Sequence, residues 1–220
     1  LDGTKVQGTG SVDKDLATVL TNTNAMRDIL VTGNYDFIAL QEVDTKATRS
    51  KKVNMAEMLT LADYSTTFAS NFHSAYLLYP FHAPHGFVQS GLLSQSRFEV
   101  TNAYRNELPI TSDFFGKFFD LDRCFSVQVM PLSNDKEFVF VNIHFTAYDE
   151  GGVIRALQLD VLNAYLDYHR NLGNYVIIAG DFNHDIADSL NLFPTQQRVP
   201  NWVSVMTNDD LMSGYQIVAA

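Results

Sequence analysis

Three runs of apolar, mostly β-branched or aromatic residues, each ending in polar side chains, constrain this chain more than any other feature. Tyr175-Val-Ile-Ile-Ala-Gly180 leads into Asp181 and Asn183. Asp36-Phe-Ile-Ala-Leu-Gln-Glu-Val43 carries Glu42 near its end, and Glu137-Phe-Val-Phe-Val-Asn-Ile-His144 stops at a histidine. Runs so short and so apolar predict strands buried on both faces. One polar strand end is unremarkable by chance; three predict a shared site at one rim of a layered fold. Asp181 and Asn183 stand two apart and point the same way if the backbone stays extended. The competing reading of Gly180-Asp181 is an ordinary turn in which the aspartate bonds its own backbone.

The elements between these runs set the class. Apolar spacing predicts a helix from Val12 to Leu30, capped by Ser11 or Asp13 and ended by Gly33, and a second over 51–62. Tyr64–Ala69 and Ser74–Tyr79 read as strands, Gly91–Val100 as a strand, a turn and a strand, and Arg123–Met130 as a further strand. Val153 to Leu172 is the clearest helix, with Ile154, Leu157, Val161, Leu162, Tyr165 and Leu166 on one face and Gly173 as its stop. Ser213–Ala220 begins another strand. Helices alternating with strands, and hairpin-like pairs in the middle, predict an α/β sandwich: two mainly antiparallel sheets face to face with helices outside. No linker interrupts the 220 residues, so a single domain is expected.

Composition enters as a filter. Hydrophobic residues make up 46% of the chain, enough for a sizeable core. The net charge of −10, with 15 Lys and Arg, counts against a broad nucleic-acid groove, because non-specific DNA binders neutralise about 6–10 phosphates with such residues. The lone cysteine, Cys124, excludes an internal disulfide and leans toward a reducing, cytoplasmic setting. No apolar run is long enough for a transmembrane segment.

The polar strand ends carry chemistry suited to a phosphate. Glu42 in an apolar strand is costly unless paired or bound to a cation, and its oxygens suit Mg2+ or Mn2+. Such an ion polarises a phosphoryl oxygen. His144 can give a proton or hydrogen bond to that phosphate. Asp181 can orient a water or protonate the leaving oxygen, and Asn183 binds phosphate without adding negative charge. Arg49, Arg123 and Arg155 are candidates for a phosphate contact or for pairing with carboxylates, and Arg49 is assigned to the substrate. His82 and His85, in the Pro80–Phe87 loop, can line a site, bind a second metal or sit on the surface, and Tyr76, Tyr79, Phe81 and Phe87 can form a substrate wall or core. His73, His169 and His184 read as ordinary, Asp185 as solvated, and Asp209-Asp210 as a solvated turn.

Leu40-Gln-Glu-Val43, Asn142-Ile-His144 and Gly180-Asp-Phe-Asn183 together resemble three ordered motifs of the endonuclease/exonuclease/phosphatase superfamily, the deoxyribonuclease I-like phosphoesterases. Ser94–Arg97 before Phe98, Arg155 with Gln158, and Asp44–Ser50 add to the resemblance, which spans residues 36–184. It implies a four-layer α/β sandwich and Mg2+-dependent phosphoester hydrolysis by in-line water attack. By that resemblance Glu42 holds the metal, His144 and Asn183 contact phosphate, and Asp181 orients water or acts as acid or base. The implied substrate is a small phosphorylated metabolite, a phospholipid headgroup or a nucleic acid. Two departures stand out. The family's early asparagine has no match on a strand here, and its closing Ser-Asp-His is absent, since no histidine follows His184. A fragment of a longer enzyme is the expectation; a catalytically inactive binding or scaffold module is the alternative.

Overall fold

The computed structural model describes residues 15–77, 84, 86–110, 122–186, 189–193 and 199–218. The caps at Ser11 and Asp13, and His82, His85, Tyr79 and Phe81, lie outside them. Contacts divide the chain into two compact units, residues 1–100 and 101–220.

In the first unit, α1 (Leu16–Gly33) starts at Asp15, whose carboxylate accepts the Thr18 N–H at 2.7 Å. It runs through Gly33 and closes on Asn34 in the left-handed conformation, one residue later than the sequence predicts. The second predicted helix shrinks to α2 (Met55–Leu59), because residues 45–53 are held in turns by backbone bonds such as Lys52 N–H to the Ala47 carbonyl at 2.8 Å. Arg27 ties the two helices together by donating to the Met58 and Thr60 carbonyls. β1 (Phe37–Asp44), β2 (Ser65–Leu77) and β3 (Gly86–Ser96) form an antiparallel sheet in the order β1-β3-β2. The two predicted strands over 64–79 are therefore one, interrupted by register shifts, and Gly91–Ser96 lies inside β3. Leu30, Ile38, Val43, Leu59, Leu61 and Leu93 make this unit's core.

In the second unit, β4 (Asn102–Glu107), β5 (Cys124–Pro131), β6 (Glu137–His144) and β7 (Tyr175–Asp181) form a sheet in sequence order. Only the β6–β7 pair is parallel. Parallel neighbours need a crossover, and α3 (Val153–Leu172) supplies it with the bounds the sequence predicts. Its buried face differs from the prediction: Arg155, Gln158, Leu162, Leu166 and His169 are buried while Leu157 is exposed. Gln158 tolerates burial because its amide is matched to Thr146 N–H and Oγ1 and to the Pro109 carbonyl. Phe125, Val127, Val139, Val141, Ile143, Leu162 and Leu166 form the core. β8 (Asp185–Ile186) and β9 (Val205–Met206) make a short parallel pair, and α4 (Ser189–Leu192) follows β8. No strand forms over 213–218.

β7 corrects an expectation. Among the described residues it pairs with β6 alone, and Tyr175 and Ile177 are about half exposed, so it is not buried on both faces. Apolar composition identified a strand but not its place in the sheet.

Candidate active site at the ends of parallel strands

The parallel register of β6 and β7 sets His144 directly opposite Asp181 at the carboxyl ends of both strands. Such ends are where open α/β sheets present their binding groups. His144 Nε2 and Asp181 Oδ2 are 3.8 Å apart. Gly180 makes the close approach possible, since a Cβ there would lie 2.0 Å from the Ile143 carbonyl oxygen.

Beyond β7 the backbone is not extended. Asn183 has a φ of 50°, and Asp181 Oδ1 accepts its N–H at 2.8 Å, the turn chemistry that short polar side chains favour. The turn still gathers the polar groups. Asn183 Nδ2 donates to the Phe145 carbonyl at 2.8 Å, and the Phe145 N–H donates to the Asp181 carbonyl. This lacing fixes the amide just past His144. Phe145 is the residue the sequence reading missed; as a buried apolar residue working through its backbone, it leaves no sequence signal.

The two facing side chains differ in environment. Asp181 is half exposed, whereas His144 is buried. Burial first, then the positive charge of Arg123, pushes the His144 imidazole down to about 2. At neutral pH it is uncharged and has a single N–H, which can donate a hydrogen bond. Arg123, buried itself, sustains that state.

Glu42 belongs to the other unit, and it is not the buried carboxylate the sequence predicts. β1 and β3 slip register between Leu40 and Val43, and Glu42 takes a φ of 55° on that bulge with its side chain exposed. Bulges re-aim side chains next to functional sites, and a non-glycine residue in this region is strained. Arg49 is committed nearby: its Nε and Nη2 grip buried Asp44 at 3.0 and 2.9 Å. The predicted alternative of pairing with a carboxylate therefore describes Arg49 here. Asp185 is buried rather than solvated, accepting from Ser189 Oγ and the Leu190 N–H.

Among the described residues no three His, Cys, Asp or Glu side chains gather to hold a metal. Mg2+ does not need such a cage, because it keeps several waters and takes one or two carboxylates plus substrate phosphate oxygens. An exposed carboxylate on a bulge, as at Glu42, fits that requirement. No helix among the described residues is long and apolar enough to cross a membrane.

Comparison with known proteins bears on the fold. The catalytic domain of human Nocturnin, solved with bound sulfate, superposes with a TM-score of 0.55 at 18% identity, covering 74% of this chain and 57% of that one. An endonuclease/exonuclease/phosphatase from Beutenbergia cavernae gives 0.54 at 18% identity, covering 81% and 45%. Sphingomyelinase C from Streptomyces griseocarneus gives 0.53 at 15% identity, covering 76% and 58%. At these identities the likeness shows the fold, an α/β sandwich. The chain spans roughly half of the length of these solved structures. No curated protein matches it by sequence. The sequence model of the Endonuclease/Exonuclease/phosphatase family matches residues 11–205, nearly the whole chain, and the chain belongs to that family.

Proposed function

We propose that this chain is a divalent-metal-dependent phosphoesterase that hydrolyses a phosphodiester or phosphomonoester by in-line attack of water. The register of His144 opposite Asp181, with Asn183 laced to Phe145, carries the reading. Glu42 would hold Mg2+ or Mn2+, which neutralises charge developing on the phosphoryl group. Asp181 has one carboxylate oxygen bonded in its own turn; its other oxygen orients the attacking water. His144, kept neutral, donates to a phosphoryl oxygen, and Asn183 binds the same group through its amide. Arg49 contributes through Asp44, fixing the loop that follows Glu42. The family name and the sphingomyelinase relative leave the substrate among small phosphorylated metabolites, phospholipid headgroups and nucleic acid.

A panel of phosphoesters with Mg2+ and with Mn2+ tests the reading. Asp181→Asn lowers turnover by about 10²- to 10⁴-fold, as loss of a positioned proton-handling group does. Glu42→Ala abolishes the metal-stimulated part. Parent-level turnover by Glu42→Ala in Mg2+ ends the metal assignment. No turnover on any ester, with metal still bound, favours the binding-module alternative.

A further inference from the structure

One peptide unit beside His144 is gripped at both ends. Its carbonyl, that of Phe145, accepts Asn183 Nδ2 at 2.8 Å. Its N–H, that of Thr146, donates to Gln158 Oε1 at 2.9 Å. In a trans peptide the C=O and N–H point in opposite directions within one plane. The bond that sets the N–H therefore also sets the carbonyl. Gln158, on α3, thus governs the direction in which the Phe145 carbonyl meets the Asn183 amide, on the turn after β7.

The Gln158 amide is itself locked. It is fully buried, and its Nε2 donates to the Pro109 carbonyl at 2.6 Å and to Thr146 Oγ1 at 2.7 Å. A backbone N–H on one side and a backbone carbonyl on the other allow one orientation, since a flip would set donor against donor and acceptor against acceptor. Buried hydrogen bonds in series also polarise one another, so a peptide whose N–H donates accepts more strongly at its carbonyl. On the near side, the Phe145 N–H donates to the Asp181 carbonyl at 2.9 Å. The Phe145 backbone thus ties Asp181 and Asn183 together, and Gln158 holds that backbone from the helix. A glutamine that merely glued α3 to its neighbours would stabilise the fold and leave Asn183 alone. The shared peptide couples the two side chains.

We propose that Gln158 is a positioning residue: through the Phe145–Thr146 peptide it fixes the Asn183 amide for phosphate. Nδ2 carries two hydrogens, and the bond to Phe145 uses one, which gives the other a set direction toward a phosphoryl oxygen. The role at phosphate rests on the phosphoesterase reading; the coupling of Gln158 to Asn183 does not.

Two measurements test this separately. The first follows the Asn183 side-chain amide by 15N NMR. Gln158→Met nearly conserves volume and removes all the amide's bonds. It should shift the Asn183 Nδ2 resonances and speed their exchange with water by about tenfold or more. Tyr104→Phe controls for lost stability, since it removes the 2.9 Å bond between the Tyr104 and Tyr165 hydroxyls that joins β4 to α3; it should leave those resonances in place. The second is a double-mutant cycle on kcat/KM for the phosphoester hydrolysed best with Mg2+. Gln158→Met should lower kcat/KM about tenfold or more in the parent, and less than about threefold in an Asn183→Ala background. Tyr104→Phe should stay within about threefold in both. Gln158→Ala, whose gap admits water to the stranded N–H and carbonyl, carries both measurements should Gln158→Met fail to fold. Losses that multiply in the cycle, or Asn183 resonances unmoved in a folded Gln158 variant, overturn the proposal. Absence of hydrolysis by the parent counts against the phosphoesterase reading alone, and the NMR result then decides the coupling.

Discussion

A single hydrogen atom at position 180 decides whether His144 and Asp181 face each other. With a φ of 150° and the Ile143 carbonyl where a Cβ would go, Gly180 admits no side chain unless β7 moves off β6. Gly180→Ala is therefore expected to cost about 3 kcal/mol or more in urea unfolding, in the range of strained backbone and overpacking combined. A folded variant should lose turnover as well; an unchanged midpoint would show that the strands separate freely. Asp44 poses the opposite case, an interaction rather than a clash. It is buried and held by two nitrogens of Arg49, whose side chain is partly exposed. Asp44→Asn strands the guanidinium and should cost about 2–3 kcal/mol, somewhat below the full penalty for breaking a buried pair. Arg49→Lys keeps the charge but loses the two-pronged grip, so it should recover only part of that stability. Full recovery by lysine would show that charge alone matters there.

At the scale of elements, apolar runs announced β1, β6 and β7, and α3 was legible to the residue because its period and Gly173 agree. Pairing partners were not legible. Nothing in Tyr175–Gly180 distinguishes a central strand from one bonded on a single side, since β-branched composition records a fit to a pleated surface and not the number of neighbours. The bulge at Glu42 was hidden for a related reason: register is a property of two strands, and β3 supplies half of it. Arg155 and Gln158 lie off the apolar face that the period picks out, yet both are buried, because loop carbonyls far along the chain accept their donors. The difference between the strands is measurable. Val141 is fully buried in β6, so Val141→Ala should cost about 1.5–3 kcal/mol. Ile177 in β7 is 49% exposed, and Ile177→Ala should cost less than about half as much. Equal costs by denaturation would mean that β7 is covered in solution.

For the molecule as a whole, the histidines connect structure to pH. Burial lowers His144 to about 2 and also lowers His169 and His184, and all three lie in residues 101–220. Each holds its proton more weakly folded than unfolded, where the value is about 6.5. Between those values the unfolded chain binds more protons, so stability is complete above pH 6.5 and falls as pH drops below it. For His144 alone the loss is about 1.4 kcal/mol per pH unit, or about 2 kcal/mol at pH 5. Carboxylate titration sets in lower, near pH 4, and acts on both units. Acidification also trims the net charge of −10, easing self-repulsion along the whole chain. The histidine effect is thus distinguishable by where it acts. Amide protection, after allowance for the slower intrinsic exchange at lower pH, should fall first within β5, β6 and α3 between pH 7 and 5, and later in the sheet of β1, β2 and β3. His144→Gln removes the largest titrating group, so its urea midpoint should vary less with pH than the parent's, whatever its stability at pH 7. A parent-like slope in that variant would mean that the imidazole is charged in the folded protein, and with it the assignment of His144 as a neutral hydrogen-bond donor would fall.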